Sequence, residues 1–423
     1  MKPAALLVLI AVAAMAALSS ARSASASGIV AITASGSHVC LLNTSGGVQC
    51  FGRASAGANG DGTTEDRATP VDVVGLQSGI RQVIAGGEHT CAITDAGGAK
   101  CWGWNFPGEV GDGTNTMRLT PVNVLGLSSG VVSMTTGRHT SCALLTMTGV
   151  KCWGFNSNGQ VGDGTITNRN VPTNVVGLAN GVASIGGRRF HICAVMQDGS
   201  LKCWGSNVVG ELGDGTFIDR STPVDVQGLG TQVTAVAGGD HHTCAITVSG
   251  GLKCWGANSA GQLGDGEVCG AACASPADAL VGGTVTQVAA GAQFSCVLLE
   301  DGDVQCWGAG FGGNTPAFVA GLDGPVKMIA ATRFFACALT EAGSVQCWGA
   351  LYTDTPATIV EAGTKPTPTP AQPTPPSVGG VSFPPPADDV RESRTPTLLT
   401  GSLAAVALAG FELFRRRRAR RPR

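Results

Sequence analysis

Aromatic residues make up only 5% of this 423-residue chain, with a single Tyr, and charged residues only 13%. With Gly abundant beside them, these scarcities suit many short strands joined by turns and exclude both a disordered polymer and a helical bundle. Long helical periodicity is absent. So are a nucleotide-binding loop, a zinc-protease helix and a nucleophile elbow, and no cofactor or metal is implied. Positive charge is scarce too: between Gly28 and Val360, 15 Lys plus Arg stand against 24 Asp plus Glu, a balance of −9. The formal −2 of the whole chain hides this, because seven Arg sit in the last nine residues. An acidic body is a poor partner for nucleic acid, whose affinity comes mainly from neutralised phosphates.

What the chain has is repetition. A cysteine, nine residues, then a second cysteine recurs seven times: Cys40 and Cys50, Cys91 and Cys101, Cys142 and Cys152, Cys193 and Cys203, Cys244 and Cys254, Cys296 and Cys306, Cys337 and Cys347. Trp follows the second cysteine in six copies (Trp102, Trp153, Trp204, Trp255, Trp307, Trp348) and Phe51 in the first. A period of about 50 residues indicates a solenoid or propeller. Each copy reads as four strands, around the second pair Ile80 to Ala85, His89 to Thr94, Ala99 to Trp104 and Thr120 to Val124. Four antiparallel strands make one propeller blade, and seven blades close a ring that leaves only short, protected edges. The expected fold is an all-β, seven-bladed β-propeller spanning residues 27–363.

Six residues after the first cysteine stand Gly46, Gly97, Gly199, Gly250, Gly302 and Gly343, where a three-residue hairpin loop needs a left-handed residue. The third copy has Thr148 there and Gly149 next, so its turn is expected to be strained or shifted. That loop sets the two cysteines of each pair opposite one another, about 4.5 to 5.5 Å apart at Cα and within reach of a disulfide. Cys269 and Cys273, in an insertion of the fifth copy, are expected to form an eighth bond. Zinc fits the nine-residue gap poorly. The Trp lies on the opposite face of its strand from the sulfur and is expected to pack between blades. Pro70, Pro121, Pro172, Pro223, Pro276, Pro316 and Pro356 lead the last strand of each copy, which assigns it to the outer edge because Pro donates no ladder bond.

The pattern running from HHTCAIT through CWG to GQLGDG, complete at His241 to Gly266 and varied in the other copies, resembles the repeat of the regulator of chromosome condensation family. The resemblance implies a seven-bladed propeller over Gly28 to Val360. The family's founding partners, chromatin and a nuclear GTPase, are not expected of an exported acidic chain. A secreted, β-lactamase-inhibitory propeller of this fold is the nearer analogue, and implies binding of another protein through the loops of one face.

Export is expected from the first 26 residues: Lys2, an apolar run from Ala4 to Leu18, then Ala24-Ser25-Ala26 as a cleavage site. Residues 364–397 form a Pro- and Thr-rich spacer. Leu398 to Phe414 is apolar and about 25 Å long as a helix, sufficient for a thin transmembrane span or a sorting-signal segment. Residues 415–423 are a basic tail expected to stay in the cytoplasm, leaving the propeller outside.

Two residues before each first cysteine stand His38, His89, Thr140, His191, His242, Phe294 and Phe335. Recurring once per blade, these histidines read as structural rather than metal-binding. Asp61, Asp112, Asp163, Asp214 and Asp265, each between two Gly, read as turn residues bonded to their own backbone. Their loops are the longest, and strand alternation puts them on the face of the turns that precede the histidine positions. The interval between the sixth and seventh cysteine pairs is ten residues shorter than that between the first and second, so the rim is expected to be low there.

In those turns the positions three and four before the first cysteine vary most, which marks them as unneeded by the blade and open to binding. Arg138, Arg189, Phe190, Arg333 and Phe334 are the candidate contacts, with Glu88 and Asp240 setting orientation and salt dependence. The favoured function is an extracytoplasmic, membrane-tethered monomer that binds a protein or surface polymer through this face, without catalysis. A glycan-active enzyme would need converging carboxylates, and Glu88 and Asp240, the only acids of the ring, stand three blades apart. A passive cell-surface spacer is the third reading.

Overall fold

The computed structural model describes residues 28–146, 149–266, 273–349 and 355–361. The expected leader, spacer, apolar segment and basic tail lie outside the described residues, as do Thr148 and Cys269. No helix among the described residues is long and apolar enough to cross a membrane.

Seven four-stranded antiparallel sheets, each of four consecutive strands, make seven blades. In blade 2 the strands are Ile80–Ala85, His89–Thr94, Ala99–Gly103 and Arg118–Asn123, so the last begins two residues before the expected start. The first strands of successive blades touch around a ring, and Ile29–Ser35 of blade 1 meets Val326–Ala331 of blade 7 to close it. Among the described residues no strand is exchanged between the chain's two ends, and side-chain packing with the Arg333 N to Gly36 O bond closes the ring. The fourth strand is the outer edge, as Pro requires; Pro356 leads it in blade 7, directly before Ala357–Val360, but in blades 1 to 6 Pro stands inside the strand. Pro121 is its fourth residue, inside a bulge where Cys101 pairs with Val122 and Gly103 with Arg118. A bulge leaves its residues unpaired, so the missing N–H costs nothing there.

All seven hairpin pairs are directly opposed and bonded: Cys40 to Cys50, Cys91 to Cys101, Cys142 to Cys152, Cys193 to Cys203, Cys244 to Cys254, Cys296 to Cys306, and Cys337 to Cys347. Their Cα atoms lie 4.0 to 4.1 Å apart, which corrects the wider spacing expected from the ladder alone. The sulfur bridge holds Cβ atoms about 3.8 Å apart, closer than unbonded cross-strand neighbours stand, and draws the strands together. Cys50, Cys203, Cys254 and Cys306, like their partners, are buried and belong to the scaffold rather than to any exposed site. Cys273 is also disulfide-bonded. In the third hairpin Leu145 pairs with Gly149, and the left-handed φ of 75° falls on Gly149, one residue later than in the other copies. The shift follows the displacement of Gly in the sequence.

The core consists of seven clusters, one per blade-to-blade interface. In each, the disulfide of one blade meets the ring that follows the second cysteine of the next: Cys91 and Cys101 face Trp153, and Cys142 and Cys152 face Trp204. Cys40 and Cys50 face Trp102 in the same way, Cys193 and Cys203 face Trp255, Cys244 and Cys254 face Trp307, and Cys296 and Cys306 face Trp348. At the closing seam Cys337 and Cys347 face Phe51, the one non-Trp member of the set. The six Trp are almost wholly buried. A Trp side chain buries about 150 to 250 Å², so each of six interfaces is anchored by one indole set against one sulfur pair.

Candidate functional site

The histidine positions are a blade-coupling device. His38 Nε2 lies 2.8 Å from Thr90 Oγ1, His89 Nε2 2.9 Å from Ser141 Oγ, His191 Nε2 2.9 Å from Thr243 Oγ1, and His242 Nε2 2.9 Å from Ser295 Oγ, always across to the next blade. Each hydroxyl donates its proton to a loop carbonyl of the preceding blade, those of Ala58, Glu109, Glu211 and Gln262. It therefore accepts from the imidazole, which must be the neutral Nε2–H tautomer. Burial drives these rings far below the ordinary histidine pKa, to about 4 for His38 and His191 and about 3 for His89 and His242. The same carbonyls accept the Nε1–H of Trp102, Trp153, Trp255 and Trp307. Where the sequence has no histidine the receiving position is apolar: Thr140 precedes Ile192, Phe294 precedes Ala336, and Phe335 faces Val39 around the seam. This pairing was legible in the sequence and shows the histidines to be structural.

Four of the five Gly-Asp-Gly turns are self-bonded as expected, and also ion-paired, while Asp265 accepts from Asn258. Asp61, Asp112, Asp163 and Asp214 accept from the Thr two residues on, and each pairs at 2.6 to 2.8 Å with the Arg six residues on: Arg67, Arg118, Arg169 and Arg220. Burial raises these carboxyls, but the Thr and Arg hydrogen bonds outweigh it and hold them below the usual range.

The variable turn ring differs from the freely substitutable surface expected of it. Each turn is bonded to its neighbour: Arg138 N donates to Arg189 O, Asp240 N to Gly291 O, Ala292 N to Arg333 O, and Arg333 N to Gly36 O. Asp240 is 8% exposed, not a rim charge. Its carboxylate lies 3.4 Å from Arg188 Nε, 3.7 Å from Arg189 Nη1 and 3.2 Å from Arg333 Nε. Arg189 Nη1 also reaches His241 Nε2 at 2.7 Å, and His241 Nδ1 reaches buried Glu211 at 3.2 Å. Arg189, with φ +47°, is the only non-Gly residue among the described residues in the left-handed region. Blade 1 has Gly36 at the same place. Arg there costs about 1 to 2 kcal/mol. Arg189 and Arg333 stack over Phe190 and Phe334 at 5.2 and 5.6 Å, and Phe334 also packs against the closing core. Arg138 and Glu88 sit half-buried on blades 3 and 2. Blades 4, 5 and 7 thus bring Arg189, Asp240 and Arg333 together, and substituting any of them disturbs structure as well as surface.

Two buried Glu replace the Gln of the loop consensus. Glu211 accepts from His241 and from Val209 N, and these bonds with nearby His191 hold it below its usual range against the raising effect of burial. Glu109 accepts from His139 at 3.0 Å, but its Oε2 is buried without a partner, because Pro107 stands where Asn158, Val209 and Ala260 supply an N–H. Burial dominates and raises its pKa. Glu109→Gln should therefore leave the melting temperature unchanged or higher, whereas Glu211→Gln should lower it. Equal shifts for the two would contradict this.

The rim is low at blade 6, where the third strand ends at Gly308 and the fourth begins at Gly313. Phe311 fills the gap, 4.4 Å from Phe294, and buried Trp348 finds no carbonyl for its Nε1. Sequence reading also passed over exposed Phe106, Met117, Ile166, Val208, Phe217 and Ile218 on the long loops of blades 2 to 4.

A profile of the RCC1-like domain matches residues 12–316. The Arabidopsis thaliana ultraviolet-B receptor UVR8 is 35% identical over 241 residues, 55% of this chain and 53% of that protein. The Homo sapiens E3 ubiquitin-protein ligase HERC2 is 32% identical over 274 residues, 63% of this chain and 6% of that protein. The chain thus spans about half the first of these relatives and a small part of the second. Yeast RCC1 (Prp20), in its complex with Kap60, superposes with a TM-score of 0.67 at 20% identity, over 80% of this chain and 86% of that one.

Proposed function

Because the chain belongs to the RCC1-like domain family, whose propeller is a protein-interaction fold, we propose that it is an extracytoplasmic, membrane-tethered propeller that binds another protein through its long-loop face, without catalysis of its own. The observation that carries this reading is the apolar dress of that face. Phe106, Met117, Ile166, Val208, Phe217 and Ile218 are between 41% and 68% exposed, on the long loops of three successive blades. Grouped exposed apolar side chains mark interaction sites, while scattered ones do not. Other exposed apolar residues recur at one place per blade, such as Val74, Leu125 and Val176, or stand alone, such as Val248 on a plain hairpin.

The scaffold suits the task, since seven buried disulfides fix the loops' bases and preorganisation reduces the cost of binding. Tethering rests on the apolar segment 398–414 and the Arg block after it. The two acids an enzyme would use do not converge: Asp240 is enclosed by three Arg, and Glu88 sits on another blade.

An alanine set at Phe106, Ile166, Phe217 and Ile218 tests the reading against the partner recovered with the intact chain. Losses above about 1 kcal/mol at two or more positions are expected, as at interface hot spots, with the melting temperature unchanged. Val248→Ala on the opposite face should do nothing. Binding lost with Val248→Ala and kept with the four would reverse the face.

A further inference from the structure

Around the channel axis, the place five residues before each first cysteine is Gly in four copies (Gly86, Gly137, Gly239, Gly291), Ser35 and Thr332 in two, and Arg188 in the fourth blade. Arg188 is thus a long cation at a place that the other six copies give to Gly, Ser or Thr. Arg188 is 7% exposed and crosses the ring, its Nη1 donating to Ala290 O at 2.8 Å and Ala331 O at 2.9 Å. Its Nε faces Asp240, and its Nη2 is buried with no partner. A buried guanidinium donor left unmade costs more than a neutral one.

Arg188 lines two cavities, of about 220 and 260 Å³. Their other walls are Ala, Ile, Val and Gly, with Gln287 in one, the hydroxyls of Thr33, Ser35, Thr135 and Thr136, and no carboxylate. Nearby, the guanidinium groups of Arg188, Arg189 and Arg333 converge on the one carboxylate of Asp240. Strain at Arg189 sits beside it, and local backbone strain concentrates at functional sites.

We propose that the long-loop end of the channel is a binding site for one compact oxyanion, a tetrahedral inorganic anion or a carboxylate, held by Arg188 Nη2 and the hydroxyls of Thr33 and Thr135, the Thr136 hydroxyl being committed to Ala85 O. With Nη1 on the Ala290 and Ala331 carbonyls and Nε toward Asp240, Nη2 offers the donors that remain, and a charge-assisted bond from it to an anion is stronger than a neutral one. The site stands apart from the apolar loop surface, so it can hold or fail without deciding the protein-binding reading.

The test follows the arginine Nε–H resonances of the whole chain while sodium sulfate, sodium phosphate or sodium acetate is added, with sodium chloride matching ionic strength. A saturable shift of a few guanidinium signals is expected, at least about tenfold weaker in Arg188→Gln because a charge-assisted hydrogen bond is lost. The Gln amide nitrogen falls where Arg188 Nε lies and keeps a donor for Asp240. Arg188→Lys, which retains the charge without the fork, should bind with intermediate affinity and serves if Gln does not fold. Saturation by sulfate or phosphate identifies a free tetrahedral anion, and saturation by acetate alone identifies the carboxylate of a bound chain. A response no different from chloride, or one that survives both substitutions at full strength, overturns the proposal.

Discussion

Full reduction of the disulfides, followed by alkylation, is expected to unfold the propeller at room temperature. Each described blade bond closes a loop with a sequence separation of 10. By the chain-entropy relation such a loop contributes about 2.8 kcal/mol. The loops do not overlap along the chain, so their entropies add in the unfolded state, and together they approach roughly 20 kcal/mol. That exceeds the roughly 5 to 15 kcal/mol by which domains are stable. Every one of these sulfurs is nearly inaccessible and packed at a blade interface. Reductant should therefore act slowly on the native ring and quickly once denaturant opens it. Circular dichroism of the reduced, alkylated protein checks the claim: a cooperative melt within a few degrees of the oxidised protein would contradict it.

Acid should unfold the oxidised protein steeply between about pH 6 and pH 4. The folded pKa values of His38, His89, His191 and His242 are depressed to about 3 or 4, while in the unfolded chain histidine titrates near about 6.5. Below that value the unfolded state binds protons that the native state refuses, so stability falls as pH falls, until the native pKa is reached. Each histidine contributes a slope of up to about 1.4 kcal/mol per pH unit, so four give on the order of 5 kcal/mol per unit. The four Arg-paired aspartates of the Gly-Asp-Gly turns, whose pKa values are lowered, add a loss of the same sign at the acid end. The protein itself supplies a control, since Phe294 faces Ala336 at the same place. His89→Phe with Ser141→Ala should reduce the acid slope by about one quarter. Urea titrations from about pH 7 down to about pH 4.5 that show an unchanged slope would refute the assignment.

Much of this architecture was legible because each signal had a local physical cause. Cysteine spacing, Gly46 and its equivalents, and the Trp after the second cysteine gave blade, hairpin and interface without tertiary information. The Gly-to-Thr exchange at 148 announced the shifted turn that Gly149 shows. The histidine coupling could have been read as well, since His, hydroxyl and apolar pairs alternate consistently across neighbouring copies. Arg188 is different. Its departure from Gly was visible, but only ring closure brings a residue of blade 4 to the carbonyls of blades 6 and 7. The same holds for Asp240, whose three Arg come from blades 4 and 7. Variability in a repeat marks release from the blade's own demands, not exposure, so Asp240, the buried member of the turn ring, was mistaken for surface. The apolar loop residues were overlooked because nothing local separates an exposed Phe217 from a buried one.

The central claim, that the long-loop face meets a protein while the hairpin face does not, is tested most directly by site-specific photo-crosslinking in the native cell. A photoreactive residue is placed in the full chain at Phe217 or Ile166, and in parallel at exposed Gln197 or Glu341 on the plain hairpins. The account predicts one discrete protein adduct from each loop position and none from either hairpin. Adducts from Gln197 or Glu341 with none from Phe217 or Ile166 would contradict it.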